Sequence, residues 1–248
     1  MSITQLMILA AGSKTPIEAT FLGGREDLSP GRTTTEDSPL GYSSTTFTMP
    51  TSISNNMPSG TSLIVVVQLF EKTSALYDGG PSGTGADITD TDGNTWTRVA
   101  GVHSGDETEV RVAVCELSSL PSSFTLHYDE TKDRAANSAW YALQNYSSTT
   151  PVATDSTFGE FELTAGSTTV ATQPGDFVIT GSCEGIDPAD LITGSANMSS
   201  DFDTRARTGS TNGNQVSVVS ETATGTSVTH TLPADSRADA TMVSVVFR

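Results

Sequence analysis

The sequence predicts an all-β protein folded as an antiparallel sandwich, and three observations carry that prediction. Serine and threonine are roughly a quarter or more of the 248 residues, well above ordinary usage. Glycine is plentiful, at 22, while charged residues are only 17%, a poor recipe for long helices and a good one for strands and turns. From Ser43 onward, short apolar or alternating stretches recur between Gly, Pro and Asn turn signals at sandwich spacing.

The first 40 residues stand apart. An apolar run from Leu6 to Ala11 is followed by "REDLSPGRTTTEDSPLG", which is polar, proline-bearing and without periodicity. The reading is an extended arm over residues 1–40 and a sandwich domain over 41–248. Such an arm gains order from a neighbouring subunit or partner, and Leu6, Met7, Ile8 and Leu9 are its anchoring candidates on apolarity alone. No basic residue precedes Lys14 and the run is short for a signal-peptide core, so the expected chain is made in the cytoplasm. The run is also far too short to span a bilayer, so no membrane partner is expected.

Within the domain, "SLIVVVQLF" (62–70) is continuously apolar and reads as a strand buried on both faces. "DITDTDGNTWTRV" (87–99) has the acidic look of a calcium loop. Placing Gly93 at the sixth position of an EF-hand loop puts Ile88 first and Val99 twelfth, and neither can ligate. Asp-Gly between strand-like flanks predicts a tight hairpin instead. "EVRVAVCEL" (109–117) alternates, with Val110, Val112 and Val114 on one side, and "SFTLHYD" (123–129) turns Phe124, Leu126 and Tyr128 inward. "DRAANSAWYALQNY" (133–146) is ambiguous: Ala136, Trp140 and Leu143 share a helical face, yet Trp140, Ala142 and Tyr146 also alternate with Tyr141 and Leu143. "DFVITGS", "NQVSVVSE", "TSVTHTL" and "ATMVSVVFR" complete the strands.

The chemistry is thin. A net charge of −17 gives nucleic-acid binding almost no electrostatic support. Cys115 and Cys183 lack zinc spacing and are too few for a disulfide framework. "GSCEG" (181–185) has the spacing of a nucleophile elbow around Cys183, but no amphipathic helix follows it. His230 shares a face with Val228 and Leu232, as a hydrogen-bonded core histidine does. His103 and His127 have no partners at metal-ligand spacing. No cofactor is expected. The positions where mixed carboxylate and carbonyl ligands would place a structural calcium are Asp90 and Asp92, with Asp187, Asp190, Asp201 and Asp203, and surface solvation is the plainer reading. Trp96, Trp140, Tyr141 and Tyr146 are the candidates for stacking on a sugar or contacting a subunit.

The order of these motifs, over roughly residues 45–248, resembles a β-sandwich module of tailed-bacteriophage virion structural proteins. The run that carries it is "SLIVVVQL", "DTDGNTWTRV", "VRVAVCEL", "SSFTLHYD", "SAWYALQNYSST", "QPGDFVIT" and "VSVVFR". The resemblance implies a jelly-roll-like sandwich without enzymatic activity, and a strand for Ala139 to Tyr146. The resemblance leaves the position in the virion open, and the acidic, threonine-rich sandwich with its arm makes a capsid decoration (cement) protein on the outer head surface the first expectation. Its partners would be the major capsid protein and copies of itself, as a homotrimer. A tail or fibre component in host adhesion, or a carbohydrate-binding module taking a glycan, is the alternative.

Overall fold

The computed structural model describes residues 15–27, 42–71, 88–104, 108–129, 136–160, 166–186, 201–208, 212–232 and 239–248. In chain order these form β1 Glu18–Asp27, β2 Tyr42–Thr48, the single turn α1 Thr51–Ser54, β3 Ser62–Glu71, β4 Ile88–Asp90, β5 Thr97–Ser104, β6 Thr108–Leu117 and β7 Ser123–Asp129. There follow β8 Ala136–Gln144, β9 Ala153–Glu160, β10 Gly166–Ala171, β11 Phe177–Ile186, β12 Phe202–Thr208, β13 Asn212–Thr222, β14 Ser227–Leu232 and β15 Asp239–Phe247. The fold is all-β, with antiparallel sheets packed in sandwich fashion.

Two five-stranded sheets, β1-β8-β3-β6-β5 and β12-β13-β11-β15-β9, lie face to face. Leu63, Val65, Val67 and Leu69 of β3 meet Phe177, Ile179, Cys183 and the valines of β13 and β15 in the main core. The alternate residues of β3, Ile64, Val66 and Phe70, point the other way, toward Phe47, Phe124, Leu126 and Trp140 beneath a second sheet ordered β2-β7-β4. On the far side, the pair β10-β14 covers the outer face of β11 and β15 through Val170, Val178, Val228 and Val246. Four layers result, and a strand facing a core on each side, such as β3, is buried at every position from Ser62 to Phe70 and apolar at most of them.

The second half of the chain repeats the topology of the first. Strand pairs nest as β1–β8, β2–β7 and β3–β6, then again as β9–β15, β10–β14 and β11–β13, which is a long hairpin rolled up in jelly-roll fashion. β5 flanks β6 as β12 flanks β13. The repetition extends to single bonds. Thr46 and Thr125 share a hydroxyl hydrogen bond at 2.8 Å, and Thr169 and Thr229 share one at 2.9 Å. At the same spacing beyond these threonines, the Met49 N–H donates to Ser122 O at 2.9 Å and the Thr172 N–H to Thr226 O at 3.0 Å.

Two readings of the sequence change. Residues 18–27, assigned to the arm, are an edge strand paired with β8, and Leu22 is buried. Its one bulge, between Phe21 and Gly23, breaks the alternation that would have marked a strand. The Asp-Gly stretch is a turn but not a hairpin, since β4 pairs with β7 while β5 pairs with β6 in another sheet. Residues 136–144 form a strand, as the resemblance implied from Ala139 onward, pairing with β1 on one side and β3 on the other.

Candidate functional site

The aromatic candidates are interior. Trp140 and Tyr141 are fully buried and Trp96 is 5% exposed. Adjacent residues of a strand point to opposite faces, so Trp140 enters the core beneath β2-β7-β4 while Tyr141 enters the main core. The Trp140 ring packs edge-on against Trp96, centroids 5.9 Å apart, and against Phe124 at 4.5 Å. The Trp140 indole N–H donates to Ser138 Oγ at 2.9 Å. The Tyr141 hydroxyl donates to Asp201 Oδ2 at 2.9 Å, which also accepts from Ser220 Oγ at 2.5 Å. Burial, with the Asp201 carboxylate beside it, pushes the Tyr141 phenol well up from its ordinary range. Half-buried Tyr146 packs at the rim of the main core and donates to Glu116. These rings make no exposed stacking platform, which corrects the sugar-contact reading.

The acidic loop is self-satisfied. Asp90 Oδ1 accepts the backbone N–H of Asp92 at 3.0 Å and of Asn94 at 3.1 Å. Its Oδ2 accepts the Asn94 amide at 3.0 Å and the Trp96 indole N–H at 2.8 Å. Gly93 turns the chain at φ 73°, which an L side chain rarely adopts. Partial burial raises the Asp90 carboxyl pKa, but the bonds from Trp96, Asn94 and Asp92 outweigh it and hold it below the ordinary range. Asp92 is exposed. Among the described residues no group of three or more His, Cys, Asp or Glu is placed to hold a metal ion. Asp187 and Asp190 lie outside the described residues, as do Leu6, Met7, Ile8 and Leu9 and the side chain of Asp203.

Cys183 sits mid-strand, since β11 runs straight through Gly181–Gly185 with no elbow, and its thiol donates to Phe70 O at 3.3 Å inside the core. Both cysteines are free and buried. Burial, with Asp90 and Glu116 nearby, pushes the Cys115 thiol up to about 11. The fully buried charges are paired: Arg111 lies 3.3 Å from Glu109, donates to His127 O at 2.6 Å, and stacks over the Phe70 ring at 4.4 Å.

A cluster that sequence reasoning missed lies between β10-β14 and the sheet beneath. His230 Nε2 is 3.0 Å from Glu221 Oε1 and its Nδ1 is 2.5 Å from Thr180 Oγ1. Thr180 Oγ1 is 2.5 Å from Ser244 Oγ, which is 2.7 Å from Thr168 Oγ1. A carboxylate only accepts, so Nε2 carries the proton and Nδ1 accepts from Thr180. Carboxylate, imidazole and hydroxyl stand in the order of a nucleophilic triad, but Thr180 is fully buried and bonded onward to Ser244. No substrate reaches it, so the chain of bonds is structural. The signal available in the sequence was the row of hydroxyls at core-facing positions of "DFVITGS" and "ATMVSVVFR".

Comparison with protein-family models, with curated proteins and with solved structures finds no match to this chain. No helix among the described residues is long and apolar enough to cross a membrane.

Proposed function

We propose that the protein is a non-enzymatic structural component of a virion, a decoration (cement) protein on the outer surface of a capsid. Its partners are the major capsid protein and further copies of itself, most simply a trimer. The observation that carries the reading is where the polar chemistry sits: Asp90, Arg111, Glu109, Tyr141, Asp201 and His230 are all committed to bonds that hold layers or turns together. Among the described residues, what faces solvent on the two covering sheets is mostly small and hydroxylic, with Thr46, Thr48 and Thr89 beside His127 on one and Ser167, Thr169, Ser227 and Thr229 on the other. Together with a charge of −17, that surface suits a protein that stays soluble and folded while displayed on a particle. The order of strand motifs supports the phage setting by resemblance. Among the described residues β5, β9 and β12 stand at sheet edges, the positions at which a neighbour's extended segment adds to a sheet.

The test is localisation. Gold-labelled protein, full length and lacking residues 1–14, is added to purified virions and viewed by electron microscopy. The truncation stops short of β1, which belongs to the sandwich. Label spread over the heads, and lost with the truncation, is the expected result. Label at the tail tip, or on host cells alone, overturns the reading in favour of adhesion, and particles without label overturn it outright.

A further inference from the structure

We infer that the β10-β14 layer is an acid-released cover, latched at neutral pH by the hydrogen-bond chain from Glu221 through His230, Thr180 and Ser244 to Thr168. The inference stands apart from the proposed function and rests on comparing the two halves. Register places Val66 opposite Trp140 in the first half and Thr180 opposite Ser244 in the second. It likewise places Leu126, next but one after Phe124 on β7, where His230 stands two after Val228 on β14. The interlayer space that Val66, Trp140 and Leu126 fill with apolar volume is thus filled by Thr180, Ser244 and His230. What remains apolar beneath β10-β14 is two small clusters, four valines with Ala223 and Leu232 with Ala240 and Met242, against the tryptophans and phenylalanines under β2-β7-β4.

The bonds run in one direction. His230 donates to Glu221 and accepts from Thr180, which accepts from Ser244, which accepts from Thr168. A proton added at Nδ1 removes the acceptor of the Thr180 hydroxyl, so every hydroxyl behind it must reverse. The charge it brings is also largely desolvated. Burial, the dominant influence, holds the imidazole below its ordinary range although Glu221 pulls the other way.

Among the described residues no other ionisable group provides a second latch. Facing the same space from β9 is Asp155, occupied by the backbone N–H of Thr169 at 2.7 Å and of Ser156 at 2.9 Å. At the layer's far end Asp176 pairs with Arg248 at 2.7 Å. β10 and β14 carry no other titratable residue, and the described side chains of β11 and β15 present none to this space. A base whose pKa is lower folded than open binds more protons when open. The latch is therefore complete above pH about 6.5 and weakens about tenfold per pH unit as pH falls below it, until the folded pKa is reached.

Hydrogen exchange followed by mass spectrometry on the intact protein from pH 8 to 5, corrected for intrinsic rates, tests this. Protection in Gly166–Ala171 and Ser227–Leu232 is expected to fall on that slope while Tyr42–Thr48 and Ser123–Asp129 hold theirs. Replacing His230→Leu with Thr180→Val, the residues of the first half, should abolish the difference. Because that variant risks misfolding, an NMR titration of the three imidazoles in the native protein is run alongside. A His230 resonance titrating below its ordinary value is the expected result. One titrating at or above about 6.5, or equal loss of protection in both covers, overturns the inference.

Discussion

At the scale of the residue, side chains that looked available for chemistry are spent on local structure, and removing them should cost stability rather than activity. Asp90 serves four donors at once. Asp90→Ala is expected to cost about 1.5–3 kcal/mol, the range for hydrogen bonds to a charged group, read from the midpoint of urea unfolding. Because the folded carboxyl titrates lower than the unfolded one, its contribution is complete above pH about 4 and disappears as pH falls below that. The wild-type advantage over Asp90→Ala should therefore shrink in acid. Calcium or chelator should leave the melting temperature of either protein unchanged. The two thiols make a companion test. Both are buried, and Cys115 holds its proton up to about 11, so iodoacetamide at neutral pH should label neither in the native state and both in denaturant.

Single elements show which parts of the fold were legible and why. Strands buried on both faces, such as β3, were plain from an unbroken apolar run, and β6, β7 and β14 from their alternation. The Asp-Gly pair correctly marked a turn, but a turn motif does not name the strand's partner, and β4 and β5 leave it for different sheets. β1 was hidden because its bulge and glycines break the pattern. Gly24 sits so close to the Phe202 ring that an added Cβ would meet it at 1.9 Å. The duplication was invisible because equivalent positions carry unlike residues, as Leu126 and His230 or Trp140 and Ser244 do. The aromatic site failed for a related reason: sequence places a ring on a face but does not say that a second layer covers that face. The unequal fillings give an element-scale prediction. Phe124→Ala, beneath the first cover, is expected to cost about 3–5 kcal/mol. Val228→Ala beneath the second should cost about 1–2 kcal/mol, as two lost methyl groups imply. Chemical denaturation of the two variants compares them directly.

The whole molecule is held by the one core that both halves build. At the middle of that interface Gly181 faces Val67, and a Cβ on Gly181 would lie 2.5 Å from Val67 Cγ1. The approach is tighter than van der Waals contact, and the β-branched valine has little freedom to swing away. Gly181→Ala is therefore expected to push the two large sheets apart and cost about 1–3 kcal/mol. Val67→Ala in the same chain should return part of that loss, which a double-mutant cycle would read as coupling between the halves. The same geometry governs how the protein unfolds. Separating the halves exposes Leu63, Val65, Val67 and Leu69 on one side and Phe177, Ile179, Val243 and Val245 on the other, so each half loses one wall of the main core and keeps only the core beneath its own cover. Calorimetry at neutral pH should then show one transition with equal calorimetric and van't Hoff enthalpies, even though the chain contains two rolled-up units. Two resolved transitions would mean that each half is a domain in its own right and that the shared sheet interface contributes little. In that case Gly181→Ala would shift neither midpoint, which makes the two measurements a check on each other.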